Sequence, residues 1–220
     1  DARIVSGAPL KVIADEADAL DADLLVVGAR GESFLRHALL GSTASRLLRK
    51  SLRRPVLIVK QAPHESYRCL LIPVDFSPAS AQAIRLGRQL APTAEIVLLH
   101  AFELPYEGKL RFAGVEDGVI HGYIETARRE RRRQLHQLAA SAGLASGDYA
   151  PLVRHGDPAQ LIAAVEQEQA CDLVIVGKHG RFTADELLLG SVIKHVLAES
   201  QCDVLVISDV RAPQDPDSDA

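Results

Sequence analysis

The chain has 220 residues, 47% of them hydrophobic and 25% charged, which suits one large or two small packed domains. A net charge of −4 excludes a general attraction to nucleic acid, and no apolar run reaches the roughly 20 residues that cross a bilayer, so neither nucleic acid nor membrane is an expected partner. No signal-type opening is present, and Cys69, Cys171 and Cys202 form neither a CxxC nor a close Cys/His pair; a cytoplasmic protein with reduced, packed thiols and no metal is the expectation.

In chain order, the first apolar runs are RIVS (3–6), DLLVVG (23–28) and PVLIVK (55–60), each predicted as a strand. CLLIPVDF (69–76) comes next, a run suited to a strand buried on both faces of a parallel sheet. Ser77-Pro78 supplies an N-cap and first-turn proline for a helix over ASAQAIRLGRQLA. EIVLLHAF (95–102) is the next strand; a loop and a long helix over 124–143, closed by Gly143, come after it. YAPLVRHG (149–156) is a strand, Asp157-Pro158 opens the helix AQLIAAVEQEQA, and DLVIVG (172–177) is a strand leading into a glycine segment. The helix SVIKHVLAES and the strand DVLVIS (203–208) complete the pattern, and the acidic, proline-rich tail 210–220 is expected to be disordered. Strands alternating with helices predict an α/β fold with a parallel sheet.

Residues 1–62 repeat the pattern of the chain's C-terminal third. At an offset of 149, Gly7 meets Gly156, Pro9 meets Pro158, Gly28 meets Gly177, Gly31 meets Gly180, and Leu39 to Ser42 meet Leu188 to Ser191. Both copies thus spell Gly-x2-Gly-x9-Gly-Ser after an apolar strand and before a helix, where open α/β sheets bind ligands. The first two glycines permit a tight turn and close backbone approach. The Gly-Ser pair presents unpaired N–H groups and a hydroxyl at a helix N-terminus, which suits phosphate. The spacing is neither a Walker A loop nor the dinucleotide fingerprint, and turn glycines with no ligand are an open alternative.

With LLIPVDFS at a first strand and HGDPA after a third, this motif resembles the universal stress protein family in its tandem form. The resemblance spans 68–208 as a complete domain and 1–60 as a partial one. It implies a Rossmann-like, open five-stranded parallel sheet of order 3-2-1-4-5 with helices on both faces, pairing through strand 5, and ATP or another adenine nucleotide as ligand. Pro73, Val74 and Asp75 would line the adenine and ribose end, with Ala101 on the base. Gly177, His179, Gly180, Gly190, Ser191 and Val192 would surround the ribose and phosphates. Gly28, Arg30, Gly31, Gly41, Ser42 and Thr43 match the motif in the first copy, whose strand 1 aspartate is not in this sequence.

The domains expected are therefore 1–62, the C-terminal part of a first copy, and 68–209, a complete second copy. In the order 3-2-1-4-5 a third strand cannot pair with a fourth unless strands 1 and 2 lie between them, so RIVS would stand alone. Some 80 upstream residues are expected on that ground. PVLIVK and DVLVIS are the expected facing edges of an intramolecular domain pair, and a homodimer and further protein partners are compatible with this plan.

Other residues have competing readings. Asp75 before Ser-Pro could cap the turn. Lys178 and Arg181 could neutralise phosphate or lie solvated. His100, His155 and His179 all fall at strand C-terminal ends, where hydrogen bonding is expected rather than metal binding. The cysteines start strands and should pack together at the edge opposite the ligand. Five arginines within 128–133, with Glu125 and Glu130 placed for i, i+4 pairing, read as a solvated helix face. No catalytic template is met, so a nucleotide-binding stress-response sensor or regulator is expected rather than an enzyme. The alternatives are an interaction protein of the same fold without nucleotide, and a slow ATPase.

Overall fold

Apolar runs too continuous for a half-exposed strand can bury both rows of side chains only inside a sheet covered on both faces, and this is where the chain puts residues 69–72, 173–176 and 203–207. The computed structural model describes residues 2–29, 41–49, 54–62, 66–178 and 189–207. Its elements are α1 (Pro9–Ala19), β1 (Leu25–Gly28), α2 (Ser42–Arg49), β2 (Val56–Val59), β3 (Cys69–Pro73), α3 (Pro78–Leu90) and β4 (Glu95–Phe102). They continue with α4 (Glu107–Phe112), α5 (Asp117–Ser141), β5 (Ala150–His155), α6 (Pro158–Glu168), β6 (Leu173–Gly177), α7 (Ser191–Glu199) and β7 (Asp203–Ile207).

The strands form one seven-stranded sheet of order β1-β2-β7-β6-β3-β4-β5. Within it β5-β4-β3-β6-β7 is the parallel 3-2-1-4-5 arrangement, and β1 and β2 add on beyond β7. The β2–β7 contact is antiparallel, with Leu57 opposite Leu205, so PVLIVK and DVLVIS meet as facing edges. One core layer lies against α2, α6 and α7 and includes Leu48, Ile162, Val165, Ile193 and Val196. The other lies against α3 and α5 and includes Ile84, Leu135 and Ala139. Gly87 allows α3 to sit close: a Cβ there would stand 2.8 Å from Ile175 Cδ1.

The helix starts reflect local chemistry. Ser77 Oγ accepts from Ser80 N at 3.4 Å, and Asp157 Oδ1 accepts from Gln160 N at 2.9 Å, each ahead of a first-turn proline.

Two sequence expectations are corrected. Residues 3–6 form no strand, and Ile4 is fully exposed, because no described strand stands beside them to accept their hydrogen bonds. The loop and helix expected after β4 are a short helix, α4, and a 25-residue helix that begins at Asp117 rather than at 124. Gly118 and Gly122 weaken the local helix signal there, and burial of Ile120 and Ile124 against Phe102 outweighs it. The tail 210–220 lies outside the described residues. No helix among the described residues is long and apolar enough to cross a membrane.

Candidate functional site

Parallel strands end together, so the C-terminal tips of β3, β4 and β6 open onto one space. Pro73, Val74, Asp75, Ala101, Gly177, Gly190, Ser191 and Val192 all line a single cavity of about 490 Å3. Its floor is apolar, with Leu99, Ile162, Val176 and Ile193. His179 and Gly180, the other two residues implied for this copy, lie outside the described residues, as does Arg181.

The β3 end is held by a compact turn. Val74 N donates to Leu99 O at 2.8 Å, which carries the β3–β4 pairing one step past the strand. Asp75 Oδ1 accepts from Ser77 N at 3.0 Å and from Ser80 Oγ at 2.7 Å, while Asp75 N donates to Ser80 Oγ at 3.1 Å. The capping reading of Asp75 is therefore realised in the fold, and the same residue also lines the cavity. Phe76 comes next in the left-handed region, at φ 63, a conformation that costs a non-glycine residue on the order of 1 kcal/mol. The turn it permits sets the Phe76 ring 4.3 Å from that of His100.

His100 donates from Nδ1 to Val74 O at 2.7 Å, since a carbonyl can only accept, and this fixes the ring's orientation in the wall. Phe102 and His155 continue the row, with ring centroids at 6.4 Å from His100 to Phe102 and 5.4 Å from Phe102 to His155. His155 Nε2 stands 2.9 Å from Glu107 Oε2 but out of line for a hydrogen bond, so the contact is one of proximity rather than a bonded pair. Of the two histidines, His100 lines the cavity and His155 lies behind Phe102.

At the β6 end, Gly190 caps α7 and brings no side chain to the helix mouth, and among the described residues nothing lies within 4 Å of where its Cβ would be. The first N–H groups of α7 have no acceptor within the helix. Gly177 closes β6, after which Lys178 N donates to Ile207 O at 2.6 Å. Lys178 is 3% exposed, so the solvated alternative for it is overturned: its chain direction turns it inward at the strand end.

Arg131, half-buried on α5, lines the same cavity and donates from Nη1 to Gln134 Oε1 at 3.1 Å. Sequence reasoning treats it as one of five equivalent arginines. Only the docking of α5 on the sheet singles it out; its neighbours Arg128 and Arg133 pair outward with Glu125 and Glu130.

The first copy is arranged differently. Gly28 ends β1 opposite Val59, and Gly41 N donates to Ala29 O at 3.0 Å. A Cβ on Gly41 would stand 3.2 Å from that carbonyl, so glycine serves close approach here. Ser42 and Thr43 open α2. Arg30 and Gly31 lie outside the described residues. No described strand flanks the outer edge of β1, where Val26 is 62% exposed, so nothing in the described chain stands to β1 as β3 stands to β6.

Comparison with known proteins bears on this arrangement. The universal stress protein family model matches residues 1–60 and 66–208. The chain belongs to the universal stress protein family. It is 30% identical over 203 residues to universal stress protein Rv1996 of Mycobacterium tuberculosis, covering 88% of this chain and 60% of that protein. The chain thus spans about three fifths of the length of such curated relatives. Universal stress protein A homolog 2 of Coxiella burnetii is 28% identical over 148 residues and is covered almost end to end, at 96%. The crystal structure of a family member from Archaeoglobus fulgidus superposes with a TM-score of 0.62 at 19% identity, over 94% of this chain and 70% of that one. At that identity the likeness speaks for the shared Rossmann-like fold alone.

Proposed function

We propose that the cavity at the tips of β3, β4 and β6 binds ATP or another adenine nucleotide, and that the protein acts as a nucleotide-dependent sensor or regulator in stress response. The observation that carries this reading is convergence: eight residues implied by the family motif, drawn from four separate parts of the chain, line one cavity of about 490 Å3. The space is of the size usual for small-molecule sites. Its apolar floor and the His100 wall suit a purine, the α7 N-terminus suits phosphate, and Arg131 adds a cation within reach of an anionic ligand. The binding energy would come from helix-end donors on the phosphates and apolar contact with the base. A change in partner binding or domain pairing would be the output.

Calorimetry and thermal unfolding with ATP test this, using Gly190→Val as the control. Among the described residues nothing lies within 4 Å of a Cβ at 190, and this residue lines the cavity, so valine there should obstruct the phosphates without disturbing the core. Affinity is expected to fall by about tenfold or more while the ligand-free melting temperature holds. Neither heat nor thermal protection at millimolar ATP would leave an interaction protein of this fold as the better reading. Phosphate release by the parent chain that is lost in Gly190→Val would mark a slow ATPase.

A further inference from the structure

The rim of the sheet opposite the cavity holds a second chemistry. Cys69 begins β3, and Cys171 sits just before β6, its parallel neighbour. The carboxylate of Asp172 clamps the two segments: Oδ2 accepts from Arg68 N at 2.8 Å and Oδ1 from Cys69 N at 3.0 Å, while Asp172 N donates to Cys69 O at 3.1 Å. This backbone clamp brings the two sulfurs to 3.0 Å, although 102 positions separate them in sequence. A disulfide needs about 2.05 Å, so closure asks for a movement of only about 1 Å between strands already held in register. Cys69 and Cys171 are 8% and 7% exposed, and Cys171 lines a solvent-facing hollow of about 490 Å3 together with Arg68, Glu166 and Gln201.

We propose that Cys69 and Cys171 form a redox modification site, closing to an intrachain disulfide on exposure to hydrogen peroxide and reopening with a dithiol reductant. The inference stands apart from the nucleotide reading, since none of its residues lines the other cavity. The hydrogen bond between the two sulfurs draws the Cys69 thiol below its ordinary range and, with burial, pushes Cys171 well above its own. Cys69 is accordingly the attacking thiolate. Its sulfur forms a bond to one peroxide oxygen as the O–O bond breaks, and the departing hydroxide takes up a proton to leave as water. Cys171 sulfur then attacks Cys69 sulfur; the S–S bond forms, the S–O bond breaks, and the proton of Cys171 leaves with the hydroxide as a second water. Two thiols are oxidised by two electrons, and one peroxide is reduced to two waters. Cys202, 1% exposed and hydrogen-bonded through Sγ to Ser200 Oγ at 3.4 Å, takes no part.

The test is to treat the reduced full chain with hydrogen peroxide at neutral pH, unfold it, alkylate it and map its peptides. The expected product is a monomer lighter by two hydrogens, with one peptide linking Cys69 to Cys171 and with Cys202 alkylated, all reversed by dithiothreitol. The oxidised chain should also unfold at a higher denaturant midpoint than the reduced one, because the bond closes a long loop. Cys69→Ser and Cys171→Ser should each abolish the linked peptide, and Cys202→Ser should keep it. A link through Cys202, a cross-linked dimer, or full alkylation of Cys69 and Cys171 after a treatment that oxidises a free-cysteine peptide would each overturn the proposal. These readouts are made on the parent chain, so a variant that folds poorly does not affect them.

Discussion

Asp75 carries two possible duties, and one atom's worth of chemistry separates them. Its Oδ1 accepts from Ser77 N and Ser80 Oγ, so Asp75→Ala removes the turn's acceptor and should cost about 1 kcal/mol of folding stability. Asp75→Asn keeps an oxygen for both bonds and should fold with little loss. If the carboxylate also contacts nucleotide, Asn should weaken ATP by about fivefold or more with the melting temperature nearly unchanged, measured by titration and thermal unfolding side by side. Cys202 gives a second residue-scale expectation. Burial pushes its thiol up from 9.0 to about 12, and burial and Asp203 push the Tyr67 hydroxyl up in the same direction. Both groups are neutral when protonated and have folded pKa values above their unfolded ones. The stability they contribute is complete below about pH 9 and is lost as pH rises through the alkaline range, at up to about 1.4 kcal/mol per pH unit for each group. Denaturant midpoints measured between neutral and strongly alkaline pH should fall accordingly, and Cys202→Ala should show a shallower decline. Gly190 and Gly177 could be picked from sequence because their spacing repeats at Gly41 and Gly28. Arg131 could not, because nothing local distinguishes it within a run of arginines.

Elements succeed where a local signal and tertiary burial agree. The runs that became β3, β4, β6 and β7 are apolar along most of their length and are buried accordingly, and the proline-capped helices begin where Ser77 and Asp157 accept from backbone N–H groups. RIVS reads as a strand through Ile4 and Val5 yet forms none, because a strand needs a neighbour and composition cannot supply one. The start of α5 is hidden for the opposite reason: two glycines argue against a helix that Ile120 and Ile124 then stabilise by packing on Phe102. The strongest element-level joint lies at the start of β7. Asp203, 6% exposed, accepts from Lys60 N at 2.8 Å and Gln61 N at 3.1 Å through Oδ1, and from Tyr67 OH at 2.7 Å through Oδ2. Lys60 Nζ adds donations to Leu197 O at 3.0 Å and Ser200 O at 2.8 Å. Asp203→Ala would strand three donors at once and should lower the unfolding free energy by about 2–4 kcal/mol in denaturant titration, with Asp203→Asn less severe.

At the scale of the whole molecule, the parallel order of β5-β4-β3-β6-β7 is legible from alternation of strand and helix and from the family resemblance, whereas the fusion of β1 and β2 into the same sheet depends on two edges finding each other. That meeting is open to expectation because PVLIVK and DVLVIS are equally apolar, and their registry, Ile58 opposite Val204 and Val56 opposite Val206, needs the fold to reveal it. The direction reversal at this seam has a spatial outcome. Val59, beside Gly28, sits near the beginning of β7, while Gly177 sits beside its end at Ile207. Gly28 thus shares a side of the slab with Cys171 and Cys69, some three and four strand spacings or ~14 and ~19 Å away, and Gly177 looks out from the far side. An oxidant and a phosphate ester would enter by opposite doors, ~17 Å apart along the five-residue strands β3 and β6, and α6 runs between the same two openings, with Ile162 at one and Glu166 at the other.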